Sequence, residues 1–232
     1  MKGTFSERTC PTTGCNRPIR LNRFALTGVG GHCERCRQRV KRQGHVDQRP
    51  VRKPEVQKVV TRLKRLVKRA NKQEQVESAL RQLAGNLADC TIDDLTQPAP
   101  NGRDHKPWVN RWQLAALHEV QRVMADVDPV QSGYVVCAMF VMAQTERPSR
   151  FVTDLAVRVQ LVRMFRMQTA LGCGSWYDEA HERNRVWYKT LPPRVSEYIA
   201  EMLTLTYAST VPFFLALIKK DKERHRPLLV PE

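Results

Sequence analysis

Four cysteines near one end of the chain have the spacing of a metal site. Cys10-x4-Cys15, seventeen residues, and Cys33-x2-Cys36 form two close pairs separated by a loop. A short spacing lets both thiolates of a pair face one ion, and the loop brings the second pair round to close a tetrahedral site. Zinc is the expected ion. A closed four-thiolate site leaves no position for water, so its role is structural, and in a segment this poor in apolar side chains its binding energy is folding energy. His32 is the neighbour of a better-spaced cysteine and is read as a bystander; His45 is read as a surface or backbone-contacting residue. Cys90, Cys137 and Cys173 are isolated. An odd cysteine count, a clustered quartet and an opening MKGTFSERTC without an apolar stretch favour a reducing compartment and metal over disulfides.

Around the quartet the charge is one-sided. Residues 1–75 carry 20 Lys and Arg against 5 Asp and Glu, whereas residues 76–232 carry 19 against 18, so nearly all of the net +16 lies in the first third. Such a field selects a polyanion, because each neutralised phosphate releases condensed counterions. Candidate backbone contacts are Arg17, Arg20, Arg37, Arg39, Lys41 and Arg42 around the cysteines, and Lys58, Arg62, Arg65 and Arg69 farther on. Double-stranded DNA is the expected partner, without any assignment of sequence specificity.

Read as a string, CPTTGCNRPIR…GGHCERCRQRVKRQGHV resembles a small zinc-binding module of bacteriophage proteins, where it accompanies HNH-type endonucleases and other phage DNA-binding proteins. The matching elements are Cys10, Cys15, Arg17-Pro18, Gly31, Cys33, Cys36, Arg37, Arg39, Arg42 and Gly44, within residues 8–46. The last ligand position holds Cys36 where His is frequent, and the central loop is longer than in compact versions. The resemblance implies a phage or mobile-element origin, action in the bacterial host cytoplasm, and DNA contact.

The elements expected to position these residues are mainly helical. Residues 1–46 are expected to form a zinc ribbon of loops and short strands, followed by an exposed linker over 46–53 that leads into Pro54. From there, residues 54–95 read as a basic helical hairpin. In its first helix Val56, Val59, Val60, Leu63, Leu66 and Val67 share an arc opposite Lys58, Arg62, Lys64, Arg65, Lys68 and Arg69. Asn71 and Glu74 signal the start of the second helix, whose inward positions are Val76, Leu80, Leu83 and Leu87. Residues 96–107 form a breaker-rich linker, and residues 108–232 an all-helical domain with segments near 108–126, 130–145, 149–170, 193–208 and 211–223. The uncharged run Met202–Ile218 is 17 residues long, short of the about 20 that a membrane span needs. With Pro212 inside it, it reads as two core helices meeting at a bend.

Three functional classes follow. The first is a non-catalytic zinc-dependent nucleic-acid-binding accessory or regulatory protein, whose C-terminal domain docks a protein partner or self-associates. The second is an HNH-like nuclease built on His105, Asn110 and His118, although the His105–Asn110 gap is too short to hold a hairpin between base and orienter. The third is an interaction module whose basic face meets an acidic protein. Asp178-Glu179-Ala180-His181 spells a helicase box, but the chain contains no G-x4-G-K-[ST] phosphate loop. Gly172-Cys173-Gly174-Ser175-Trp176 lacks the Cys-Trp pair of a cysteine-protease nucleophile. The aromatic residues Trp176, Tyr177, Trp187 and Tyr188 flank a charged segment that suits either a packed loop or a partner surface.

Overall fold

The computed structural model describes residues 8–15, 17–19, 32–91, 110–146, 150–169, 174–178, 183–187 and 191–224. It is mainly helical. The N-terminal segment opens with two short antiparallel strands, β1 (Arg8–Thr9) and β2 (Pro18–Ile19), paired Arg8 to Ile19 and Thr9 to Pro18. Between them Gly14 takes φ +74°, the left-handed conformation that lets the chain turn back tightly at Cys15. The segment Glu34–Gln43, expected among the loops and short strands of the ribbon, is instead a helix, α1. Its apolar periodicity is too sparse to read from sequence, since Cys36 is its one buried residue.

The remaining helices are α2 (Lys53–Arg69), α3 (Gln73–Ala88), α4 (Arg111–Met124), α5 (Pro129–Thr145), α6 (Asp154–Arg166), α7 (Pro193–Tyr207) and α8 (Val211–Arg224). The expected helical segments therefore appear, with ends shifted by a few residues. Between α6 and α7 the chain adds one two-stranded antiparallel ladder, β3 (Gly174–Asp178) with β4 (Arg183–Trp187). The side chains of Trp176, Tyr177, Trp187 and Tyr188 lie outside the described residues, as does the expected linker at 96–107.

Helix α5 is the centre of the body. Twelve of its 17 residues are buried, including Tyr134, Val136, Cys137 and Met139, and it packs against α2, α3, α6, α7 and α8. A helix apolar on every side must be enclosed in this way. Helices α2 and α3 contribute Val56, Val60, Leu63, Val67, Val76, Leu80 and Leu87 to the same hydrophobic core as α4 to α8. The turn between them differs from the sequence expectation: Asn71 is not the cap of α3. It adopts φ 53° and ends α2, a conformation asparagine tolerates better than other non-glycine residues, while Lys72 occupies the cap position.

The uncharged run near the C-terminus divides as expected, through a 3-10 turn at Ala208–Thr210. By length and composition the pair Pro193–Arg224 passes for a membrane span, its most apolar 18-residue window having a mean hydropathy of 1.4. It nevertheless sends Ile199, Leu203, Tyr207, Val211, Phe214 and Ile218 into the core, while Leu205 is 78% exposed.

Residues 46–53, expected as an exposed linker, are partly buried. Val46, Gln48 and Val51 are buried, Val46 in the cluster around the cysteines and Val51 in the large core. The Gln48 amide donates to the carbonyls of Arg49 and Arg150, and its oxygen accepts from the Val152 N–H. Gln160, fully buried on α6, accepts from the Val51 N–H at 3.0 Å and donates to the Gln43 side chain at 2.7 Å. Each buried amide thus satisfies backbone groups that extended chain leaves open. Gly44, which caps α1 at φ +82°, lies so close to α6 that an added Cβ would stand 2.5 Å from the Cα of Ala156.

Gly44→Ala is therefore expected to destabilise the protein by more than the about 1–2 kcal/mol that the left-handed conformation alone imposes on an L-residue. Urea unfolding of the variant beside the parent measures it, and an unchanged midpoint would show that α1 does not dock on α6 as described.

Candidate metal centre and its basic surroundings

The short β1–β2 hairpin and the start of α1 bring the four cysteines together. Cys10 follows β1 and ties across the hairpin, its N–H donating to the Arg17 carbonyl at 2.9 Å. The Cys15 N–H donates to the Thr12 carbonyl at 2.9 Å, closing the turn through Gly14. From the other side, Cys33 is the cap residue of α1 and Cys36 lies in its first turn. All four Sγ atoms lie within 4.8 Å of one another. Cys10, Cys33 and Cys36 are buried and Cys15 partly so. The four are close enough to hold a metal ion.

The distances suit such an ion. Zn–S bonds of about 2.3 Å in a tetrahedron place sulfurs about 3.8 Å apart, and the Cys15 and Cys33 Sγ atoms are 3.6 Å apart. The Cys33 N–H donates to the Cys10 sulfur at 3.4 Å. The N-terminal end of α1 also faces the site through Cys33 and Cys36. His32 is not among the ligating group. Its Nδ1 lies 3.0 Å from the Thr12 hydroxyl, which in turn lies 3.3 Å from the Cys10 sulfur, so it buttresses the site one layer out. His45 stays local, its Nδ1 accepting from the Asp47 N–H at 3.2 Å.

Proton occupancy within the quartet is uneven. Burial works against ionisation of Cys10, but hydrogen bonds from Thr12, from the Cys33 and Thr12 backbone and from His32 outweigh it and bring that thiol down to about 5. At Cys36 a hydrogen bond with Thr12 favours the thiolate, yet burial and the other three sulfurs push the thiol up to about 11. Four sulfurs this close cannot all carry negative charge without a cation between them.

The hydrophobic cluster around the quartet is small: Val46 is its one buried aliphatic side chain, with Ile19 and Val40 partly buried. It is separate from the large core of α2 to α8. No protein-family model, curated protein sequence or solved structure matches the chain. What the site does must therefore be argued from its own chemistry.

The expected backbone-contacting residues fall into three groups. On the N-terminal segment, Arg17, Arg39, Lys41 and Arg42 are exposed, Arg37 is exposed but paired with Glu34, and Arg20 lies outside the described residues. Arg35, absent from the sequence candidates, is exposed on α1 at positions i, i+4 and i+7 with Arg39 and Arg42, and so on one face. That spacing was in the sequence but carries meaning only once the segment is a helix. Among the described residues none of these three arginines has an ion-pair or side-chain hydrogen-bond partner. On α2, Lys58 and Arg65 are exposed and without such a partner among the described residues, and exposed Lys68 joins them. Arg62 and Arg69 instead pair with Asp221 of α8 at 3.1 and 3.3 Å, and Lys64 turns to Gln131 and the Tyr134 ring.

Of the nuclease trio, two members are described. His105 lies outside the described residues and His118 is exposed on α4. Asn110 is the cap of α4: its oxygen accepts from the Trp112 N–H at 2.9 Å and its amide donates to the Tyr198 hydroxyl at 3.0 Å. Among the described residues the cysteine quartet is the only group placed to hold a metal.

The 232-residue chain is expected to purify with one tetrahedral metal ion, and Cys36→Ala to lose it. Far-UV circular dichroism should retain most of the helical signal, because α2 to α8 have their own core. Elemental analysis of parent and variant decides this, and equal metal content in both would remove the quartet as the site.

Proposed function

We propose that the protein is a non-catalytic, zinc-dependent nucleic-acid-binding factor. Its N-terminal segment is a zinc-ribbon-type module, and α2 with α3 forms a basic helical hairpin beside it. Four thiolates around a tetrahedral site select zinc over harder cations, and the ion acts by fixing α1. The observation that carries the reading is the unpaired stripe of Arg35, Arg39 and Arg42 on the helix that begins at the quartet. Like charges one turn apart repel by about 0.2–0.5 kcal/mol per pair, and a row of phosphates converts that repulsion into attraction. Arginine suits the task because its planar fork meets phosphate oxygens bidentately. Exposed Lys58, Arg65 and Lys68 extend the face along α2.

The role is that of an accessory or regulatory protein of a phage or mobile element in the host cytoplasm. It grips duplex DNA by its backbone, while the helical body recruits or blocks a protein partner. Backbone contacts position without reading sequence, so random-sequence duplex is a sufficient probe.

The logarithm of affinity should fall linearly with the logarithm of salt concentration, by about 0.9 per phosphate contacted. Arg35→Gln, Arg39→Gln and Arg42→Gln together should make that slope shallower by about 2–3, with α2 to α8 still folded. Absence of binding at about 50 mM salt, where phosphate contacts are strongest, would contradict the reading and favour an acidic protein as the partner. Metal-dependent nicking of plasmid DNA that is lost in His118→Ala would restore the nuclease.

A further inference from the structure

Asp221 brings together two regions that are 152 or more residues apart in sequence. Its two carboxylate oxygens are taken by Arg62 and Arg69, seven positions apart on α2, at 3.1 and 3.3 Å. The carboxylate is nearly covered, its side chain 13% exposed, whereas the two arginine side chains remain 39% and 51% exposed. A guanidinium carries five N–H donors in a plane. Each arginine can therefore hold Asp221 with one edge and present the rest outward.

The residues around Asp221 on α8 are as basic as the helix they face. Lys219, Lys220, Lys222 and Arg224 are all exposed, and among the described residues none of them forms an ion pair. Against them stand Glu223 and Asp221 itself, already bound. The near-neutral balance of residues 76–232 thus conceals a local excess, placed beside α2 rather than spread over the body. Helices α2 and α8 are in contact, and the Asp221 ion pairs hold the last turns of α8 against the basic side of α2.

We infer that the phosphate-binding face is composite: the last turns of α8, through Lys219, Lys220, Lys222 and Arg224, continue the basic face of α2, with Asp221 as the staple aligning the two helices. The inference rests on the nucleic-acid reading above and names as ligand the phosphodiester backbone of duplex DNA. A competing role for these cations is to complement the negative end of the α8 dipole. That role would change stability and leave the salt dependence of binding untouched.

The test uses the 232-residue chain and random duplex DNA. Lys219, Lys220, Lys222 and Arg224 are replaced together by Gln; a second variant replaces the three lysines by Arg, keeping the charge. The expected result is a salt slope shallower by about 2–4 in the Gln variant, at about 0.9 per lost contact, with at least about tenfold weaker binding at about 100 mM salt. The Arg variant should bind like the parent, and equal thermal midpoints exclude unfolding as the cause. Unchanged slope and affinity in the Gln variant, with loss in the Arg35, Arg39 and Arg42 variant, would overturn the composite face and leave the N-terminal one standing. Absence of salt-dependent binding by the parent chain would overturn both.

Discussion

Four sulfur atoms confined within 4.8 Å of one another are the constraint on which the N-terminal third depends. The cluster around them contains too few aliphatic side chains to hold two short strands and a ten-residue helix by burial alone. Mutual repulsion among thiolates would open it. A cation at the centre would reverse the sign of the interaction. It would make the hairpin turn through Gly14 and the first turn of α1 parts of one object, and so set where α1 points its arginines.

Direction would be of little use if the module swung freely. Gly44 admits the backbone of α6 to a distance no side chain allows, and Gln48 and Gln160 close the backbone hydrogen bonds of the segment that follows. Arg150 adds contacts to the carbonyls of Arg49 and Pro50 and to Glu55. Through this junction the quartet, the α1 stripe and the basic face of α2 are carried on one frame. Asp221 then ties α2 to α8 at the far edge of that frame.

What was legible in the sequence follows from the range of the interactions concerned. The quartet was legible because ligand spacing is local. Helices α2 to α8 were legible because breakers bound them and because, except in α5, which is apolar on every side, their apolar residues recur at helical period. Helix α1 was not, because its fold rests on cysteines that count as ligands and on Val40, leaving no stripe to see; Arg35 was overlooked for the same reason. The 46–53 segment looked like a linker because its burial depends on Gln48 and Gln160, polar residues whose partners lie about a hundred positions away. Nothing near Asp221 in sequence announces Arg62 and Arg69. Long-range polar pairing carries no periodicity, and it is what makes the C-terminal helix a neighbour of the basic face of α2.

Zinc K-edge X-ray absorption on the purified 232-residue chain tests most directly whether Cys10, Cys15, Cys33 and Cys36 together hold one zinc ion. A single shell of four sulfur scatterers at about 2.3 Å is the expected spectrum. A shell containing nitrogen or oxygen at about 2.0–2.1 Å, which would draw in His32 or water, contradicts the four-thiolate site, as does a chain that carries no zinc at all.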